Sequence, residues 1–191
     1  MIPLEKAVET SIVLPGSKYI ANRLLPMCAL AKSPSLLTNL VVNEDIQTAI
    51  EGLTSLGYQF KEQANGLQVI PRVNKNSHDS TSVYTAHSGT FSRFVTAIAA
   101  LESTKVDISC SDKMATRPMA ELFTSLKQLG VNISTINECL PASIQGPPKG
   151  HSCTLDASRS SQYLSALLII APLLSQGLTI KLEGPLVSPA Y

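Results

Sequence analysis

Two stretches of the chain place apolar residues at the spacing of an amphipathic helix and end in the same way. Residues 45–57 and 118–130 both close on Leu-x-x-Leu-Gly, with corresponding positions 73 residues apart. Apolar residues recurring every three to four positions predict a helix, and glycine directly after the last leucine is typical of a left-handed C-terminal cap. Each stretch is followed by a short alternating run that predicts a strand, at 58–60 and 131–133. Two copies in register indicate an internal repeat.

A second element, a more apolar helix entered from a small polar loop, recurs three times. The three helices are predicted over residues 17–25, 88–95 and 158–168. The β-rich runs that follow them lie at 36–42, 105–109 and 178–182. Arg23, Arg93 and Tyr163 occupy equivalent positions, spaced by 70 residues. Helices that are apolar on most faces belong in an interior, so we expect the three to pack together under sheets.

The repeat predicts an α/β fold built from units of strand, buried helix, strand, amphipathic helix and strand. The units are expected to cover about 14–80, 81–150 and 151–191. By the same spacing, the third unit needs a second helix near residue 190 and a Leu-Gly ending near ~200. Because a repeat array needs its units to bury a shared core, we expect the chain to be part of a longer protein.

Composition narrows the function classes. The chain has 191 residues, 44% of them hydrophobic and 15% charged, which predicts a folded core and excludes a disordered chain. A net charge of +1 and the absence of Trp argue against a nucleic-acid partner. The longest apolar stretch, 164–174, is too short to span a membrane. The N-terminus has no secretory signal, so a soluble, cytoplasmic protein is expected.

The cysteines and histidines indicate neither a disulfide framework nor a metal site. Four cysteines form no CxxC pair and are expected to be reduced and mostly buried. Three histidines lack metal-ligand spacing among themselves and with the cysteines. We therefore expect no metal.

The first loop-to-helix junction carries donors that suit an anion. It reads Pro15-Gly16-Ser17-Lys18, with Arg23 about one and a half turns further on. A helix N-terminus offers unpaired N–H groups and a positive dipole end, and a lysine there suits a phosphate or carboxylate. A serine before a helix is also an ordinary cap, so this junction alone leaves both interpretations open.

Two further junctions repeat the pattern. One is Ser88-Gly89-Thr90 with Arg93, joined by Arg117 before a proline expected at the first position of the amphipathic helix. A cation there opposes the helix dipole, so an anionic partner or a salt bridge is expected beside it. The other is Ser160-Ser161-Gln162, whose hydroxyls and amide suit phosphate oxygens or simply cap the helix. Three such starts at one rim predict a site for a multiply anionic small molecule.

These motifs, with Leu186-Val187-Ser188, occur in the order found in the 5-enolpyruvylshikimate-3-phosphate synthase family. The sequence resembles that family from about Leu14 to Tyr191. The resemblance implies two domains of the enolpyruvyltransferase inverse α/β-barrel fold, each made of three βαβαββ units. Residues 14–191 would form a nearly complete substrate-binding domain. Residues 1–13 would form a strand belonging with a second domain, which is missing here and would lie mostly beyond residue 191.

The resemblance also implies the reaction and a role for each motif residue. The family transfers the enolpyruvyl group of phosphoenolpyruvate to the 5-hydroxyl of shikimate 3-phosphate in the shikimate pathway, without a cofactor, and a monomer is expected at full length. The acid and base groups lie in the other domain, so this chain alone is expected to be inactive. For shikimate 3-phosphate, the implied contacts are Lys18, Arg23, Ser160, Ser161, Gln162, Ser188 and Tyr191. For phosphoenolpyruvate, they are Lys18, Gly89, Thr90, Arg93, Arg117 and Gln162, with Lys18 bridging the two substrates as the one catalytic residue.

The sequence departs from the family pattern at several positions. Tyr19 stands where the family has a serine, His87 where it has asparagine, and Phe94 where it usually has proline. Pro26 falls inside the first buried helix, where a kink or a cost of about 3 kcal/mol is expected. Tyr19 and His87 favour an alternative, a non-catalytic module that binds a phosphorylated small molecule. A related enolpyruvyltransferase acting on a nucleotide sugar is disfavoured because no cysteine lies beside Arg117.

Overall fold

A computed structural model describes residues 10–72 and 80–188. The helices are α1 (Lys18–Ala29), α2 (Glu44–Ser55), α3 (Gly89–Ala99), α4 (Asp112–Ala115), α5 (Ala120–Gln128) and α6 (Ser161–Ile170), which a 3-10 turn (Ala171–Leu173) extends. The strands are β1 (Ser35–Thr38), β2 (Gln59–Gln63), β3 (Gly66–Ile70), β4 (Ser80–Tyr84), β5 (Lys105–Ser109), β6 (Asn132–Thr135), β7 (Ala142–Gln145), β8 (Ser152–Asp156) and β9 (Thr179–Glu183). From β4 to β7, apart from the single turn of α4, the order is βαβαββ.

Three separate sheets repeat one topology. The four-stranded sheet has the order β4-β5-β7-β6, with β4 and β5 parallel and β7 antiparallel to both of its neighbours. The sheet β1-β3-β2 repeats its antiparallel part, and the parallel pair β8-β9 repeats its first two strands. The predicted repeating unit is therefore confirmed. Residues 10–17 form no strand, and the strand expected over 1–13 otherwise lies outside the described residues.

The two amphipathic helices end in the same hydrogen bonds. Gly57 and Gly130 have φ of 93° and 87°, a left-handed conformation that favours glycine. The next residue returns its N–H to a carbonyl five positions earlier, Tyr58 to Leu53 at 3.2 Å and Val131 to Leu126 at 3.1 Å. This 6→1 bond is typical of a Schellman cap. The predicted repeat of 73 residues is confirmed at the level of individual bonds.

Helices α1, α3 and α6 pack against one another, as predicted, and α3 is central. Its Phe91, Phe94 and Ile98 are buried. The expectation of an interior helix is wrong for the outer face of α1, where Ile20 is 60% exposed. The reason is that α1 packs on α2 and β3 through the face that carries Ala21, Leu25 and Ala29, which leaves Ile20, Leu24 and Met27 on its exposed face. Helix α1 also continues through Pro26 to Ala29.

Each amphipathic helix also bridges to the following copy of the repeat. Helix α2 packs on β4, and α5 packs on β8. Ser125 of α5 donates to the carbonyl of Thr154 at 2.7 Å, and Gln128 donates to the Thr154 hydroxyl at 3.0 Å. The copies are therefore joined in series through one shared core.

The four cysteines are free thiols, and Cys153 is buried. Burial raises the pKa of Cys28, Cys110 and Cys153, which keeps these thiols protonated at neutral pH. Among the described residues no helix is long and apolar enough to cross a membrane, and no cluster of His, Cys, Asp and Glu forms a candidate metal site.

Candidate functional site

The predicted helix starts meet at one end of the α1–α3–α6 cluster. Ser17, Ser88 and Ser160 are the N-cap residues of the three helices. The Ser88 hydroxyl accepts from the N–H of Phe91 at 3.4 Å, and the Ser160 hydroxyl accepts from the N–H of Gln162 at 3.2 Å. Ser17 makes no such side-chain cap. Because a capping hydroxyl still has its own proton to donate, capping and anion binding are compatible at Ser160, whereas the Ser88 hydroxyl donates to Asp45.

A cavity of about 250 Å³, here called the phosphate cavity, opens at the start of α6. Its lining residues are Tyr19, Arg23, Arg159, Ser160, Ser161, Gln162, Val187 and Ser188. The described lining residues thus include two arginines and several hydroxyl-bearing side chains, and none of them is a carboxylate. Its charge and donors suit an anion. The sequence predicted five of these eight residues.

Arg23 is held beside this cavity by three contacts. Its guanidinium donates to the carbonyl of Tyr19 at 3.0 Å and to the Ser165 hydroxyl at 3.3 Å. It also lies over the ring of Phe94, 5.5 Å from the centroid. Burial lowers the pKa of Arg23, although an arginine stays protonated throughout the usual pH range. Phe94, a departure from the family pattern, therefore supports the cation that the cavity uses.

The Gln162 amide joins α6 to the start of α3. Its nitrogen donates to the Thr90 hydroxyl at 3.0 Å, and its oxygen accepts from Arg93 at 3.0 Å. Arg93 also donates to the carbonyl of Gly89 at 2.7 Å and lies 5.3 Å from the centroid of the Tyr163 ring. Arg93 is buried and its Nε has no partner among the described residues. The contacts of Arg93 therefore fix the start of α3, at Gly89, relative to Gln162 of α6.

Gly89 lies directly beneath two guanidinium groups. A Cβ at this position would stand 2.5 Å from Nη1 of Arg117 and 3.0 Å from Nη1 of Arg93. Only a residue without a side chain permits this close approach. The structure therefore brings together the Gly89, Arg93 and Arg117 group that the sequence predicted.

The prediction that Pro118 begins the helix after Arg117 is wrong. Helix α5 begins at Ala120, and its cap residue Met119 has φ −133° and ψ −3°. The Tyr163 hydroxyl donates to the carbonyl of Pro118 at 2.8 Å, which ties this segment to α6 instead of to the first turn of α5. Arg117 thus stands in the loop between α4 and α5 and does not oppose the dipole of α5 from within its first turn.

Lys18 lies in an adjoining cavity of about 210 Å³ and not in the lining of the phosphate cavity. Its ammonium forms an ion pair with Asp45, which the sequence did not predict as a site residue. The hydrogen bond to Asp45 raises the pKa of Lys18. Burial opposes ionisation of Asp45, but hydrogen bonds from Lys18 and Ser88 outweigh it and lower the pKa of Asp45. Because an ammonium has three N–H donors, Lys18 can contact a ligand while it is paired with Asp45.

Two departures from the family pattern lie within these cavities. Tyr19 is half exposed in the phosphate cavity. His87 lines the Lys18 cavity, and its Nδ1 shares a hydrogen bond of 2.6 Å with the Ser111 hydroxyl. This bond joins the segment just before α3, which begins at Gly89, to the segment that follows β5 and leads to Arg117. Tyr191, also predicted, lies outside the described residues.

The chain is an α/β protein of repeated βαβαββ units, with a cavity lined by arginines and hydroxyl-bearing residues at its helix starts. The chain belongs to the EPSP synthase (3-phosphoshikimate 1-carboxyvinyltransferase) family, whose model matches residues 3–191. The 3-phosphoshikimate 1-carboxyvinyltransferase of Hamiltonella defensa is 34% identical over 189 residues, which are 96% of this chain and 44% of the relative. A second one, from Halalkalibacterium halodurans, is 35% identical over 195 residues, covering 100% of this chain and 43% of the relative.

A solved structure of EPSP synthase from Acinetobacter baumannii matches the fold. The TM-score is 0.78 at 22% sequence identity, over 91% of this chain and 40% of that chain. The predicted inverse α/β-barrel fold is thereby confirmed. The chain spans less than half the length of the curated relatives it matches.

Proposed function

We propose that this chain is the shikimate-3-phosphate-binding part of a 3-phosphoshikimate 1-carboxyvinyltransferase. The reaction moves the enolpyruvyl group of phosphoenolpyruvate to the 5-hydroxyl of shikimate 3-phosphate and releases phosphate. The observation that carries this proposal is the phosphate cavity, in which Arg23 and the Ser160, Ser161 and Ser188 hydroxyls line one space at the start of α6. An anion there gains from the helix N-terminus and from the arginine together.

In this proposal the ligand's two anionic groups take different partners. The serine hydroxyls bind the phosphate of shikimate 3-phosphate, and Arg23 binds the carboxylate. Tyr191, which lies outside the described residues, is assigned to the same ligand by the family resemblance alone. Such contacts position a substrate and stabilise charge but move no proton.

The phosphate of phosphoenolpyruvate binds beside the Gly89 loop. Arg117 and Gln162 contact it together with the backbone of Gly89, while Thr90 and Arg93 hold the loop through the bonds described above. Lys18, the catalytic residue, bridges the two substrates. The full-length enzyme is expected to be a cytoplasmic monomer that needs no cofactor and no metal. Proton transfer belongs to residues of its other domain.

Titration calorimetry of the 191-residue chain with shikimate 3-phosphate tests the binding site. We expect heat from the wild type and from S55A, an exposed serine of α2, and little or none from S161A or K18M. Equal heats for S161A and S55A would contradict the site. Phosphate release from phosphoenolpyruvate and shikimate 3-phosphate by this chain alone is expected to be absent, and robust turnover would contradict the division of roles.

A second candidate, a non-catalytic module for phosphorylated small molecules, is favoured by the Tyr19 ring in the phosphate cavity. The same titration separates the two. The enzyme proposal expects shikimate 3-phosphate to bind more tightly than inorganic phosphate, because Arg23 adds a carboxylate contact. Equal affinities for both would favour the module.

A further inference from the structure

Arg159 belongs to the phosphate cavity although none of the sequence motifs includes it. It immediately precedes Ser160, the N-cap of α6, and lines the cavity together with Arg23, Ser161 and Ser188. Among the described lining residues, Arg23 and Arg159 are the two cations. The lining therefore includes one arginine for each of two ligand anions.

Glu121 holds Arg159 in place from a neighbouring element. The Arg159 Nε lies 3.3 Å from Oε1 of Glu121, in the first turn of α5. The Arg159 side chain is 64% exposed, while that of Glu121 is only 15% exposed, so the carboxylate is the fixed partner. An acidic residue is also stabilised at this end of a helix.

The geometry of this pair leaves most of the guanidinium for a ligand. The pair uses Nε, and within residues 10–72 and 80–188 Arg159 makes no hydrogen bond or other ion pair. Four N–H donors on the two Nη atoms remain, which is the forked arrangement that binds phosphate oxygens in pairs. The serine hydroxyls of the cavity are neutral and supply no charge.

We propose that Arg159 is a specificity-determining residue that binds the phosphate of the ligand, and that Glu121 is the positioning residue that aims it. The inference rests on the proposed function, because Arg23 is assigned there to the ligand's carboxylate. A phosphate carries about −1.5 to −2 charges at neutral pH. Among the described residues that line the cavity, Arg159 is the remaining cation that can balance it.

The test compares shikimate 3-phosphate with shikimate, which lacks the phosphate, in titrations of the 191-residue chain. The variants are R159Q, R159K and E121Q, with K127Q as the matched control because it removes the same charge from an exposed position of α5. We expect R159Q to weaken binding of shikimate 3-phosphate about tenfold or more. R159K, which keeps the charge but loses the fork, should lose roughly threefold. Binding of shikimate should change less than about twofold in both.

E121Q should also weaken binding of shikimate 3-phosphate, by about threefold, because it removes the ion pair that aims the guanidinium. A merely structural role for Glu121 would lower affinity for shikimate to the same extent, so an equal loss for both ligands overturns the positioning role. Circular dichroism of each variant verifies the fold, and R159K provides the comparison if R159Q fails to fold.

Two failures are distinguishable. If the wild type gives no heat with shikimate 3-phosphate, the proposed function fails and this inference fails with it. If the wild type binds and S161A does not, while R159Q behaves like K127Q, the proposed function stands and the role of Arg159 is overturned.

Discussion

Arg93 and Gln162 lie 69 positions apart in the sequence and are joined by a hydrogen bond of 3.0 Å. Each comes from the first half of a buried helix, in successive copies of the repeat. The bond fixes α6 against α3 at the end where the candidate site lies. Structural stability and site geometry therefore depend on the same pair.

Replacing Gln162 with alanine should destabilise the fold. The change removes an acceptor from buried Arg93 and a donor to Thr90, and an unsatisfied buried group costs about 1–3 kcal/mol. Urea denaturation monitored by circular dichroism measures the loss. The control is Q47A, whose exposed amide bonds only to Glu51 on the surface of α2 and should change little. Equal losses for Q162A and Q47A would contradict the role of this bond.

Replacing Gly89 with alanine should weaken binding of anionic ligands through Arg117. The new Cβ would stand 2.5 Å from Nη1 of Arg117, so the guanidinium must move. Arg117 is exposed and can move, but buried Arg93 lies 3.0 Å from the new Cβ and must shift slightly, so the free energy of unfolding should fall by about 1 kcal/mol. Titration with phosphoenolpyruvate in the presence of shikimate 3-phosphate measures the affinity. The double variant G89A/R117A should match R117A alone, and a further loss in the double variant would refute this route.

The pair Arg72–Glu102 should contribute strongly to stability. Glu102 is 5% exposed and bonds to Arg72, which also donates to the carbonyl of Leu56 at 2.9 Å. Removing one partner of a buried pair costs about 3–5 kcal/mol because it leaves an unpaired charge. We therefore expect R72L to lower the free energy of unfolding by about that amount.

A surface pair provides the control for R72L. Lys105 and Asp107 are about half exposed and 3.1 Å apart, so K105A should cost less than about 1 kcal/mol. Urea unfolding of both variants under the same conditions gives the comparison. If R72L and K105A lowered the free energy of unfolding by similar amounts, the larger contribution expected of the buried pair would be contradicted.

Stability should fall at alkaline pH because of Tyr58. Burial raises the pKa of Tyr58 to about 12, with Arg72 acting in the opposite direction. The folded state therefore holds the phenolic proton more tightly than the unfolded chain does. The contribution is fully present below pH ~10, the unfolded pKa, and is lost between about 10 and 12 at up to ~1.4 kcal/mol per unit.

Y58F should remove this part of the pH dependence. The free energy of unfolding of the wild type minus that of Y58F, measured across the alkaline range, should decrease with pH. Tyrosinate absorbance should show a titration near pH 12 in the wild type that Y58F lacks, while Tyr163, whose pKa is also raised by burial, titrates late in both proteins. A difference between the two proteins that stays constant with pH would contradict the assignment.

The repeat could be predicted from the sequence because its signals, apolar spacing and a glycine at the helix end, are local. A glycine directly after Leu-x-x-Leu predicts the end of a helix at Gly57 and at Gly130, and both glycines have the left-handed conformation. Residues 105–109 form a strand over the range that was predicted. The same local pattern predicts that Ser160, Ser161 and Gln162 bind an anion, which stays a prediction, while the structure places these residues at the cavity or at the start of α6. The placement of these helix starts beside one another followed from their equivalence in the repeat.

Contacts between distant residues were not predicted, because no local pattern encodes them. Asp45 was taken only as the start of an amphipathic helix, yet it pairs with Lys18. The bond from Tyr163 to the Pro118 carbonyl delays the start of α5 to Ala120. Arg159 had no motif to mark it, and only the tertiary fold brings it to Glu121 and the phosphate cavity.

Arg23 stacks on Phe94, and Arg93 stacks on Tyr163. These two contacts distinguish the order in which the copies of the repeat follow one another. In each case the arginine of one copy lies on an aromatic ring of the next. The position equivalent to Phe94 in the first copy is Leu24, which has no ring to offer. A chimera that placed the first copy where the second belongs would keep the arginine but lose the ring that receives Arg23. The copies have therefore diverged from interchangeable duplicates into parts with a fixed order.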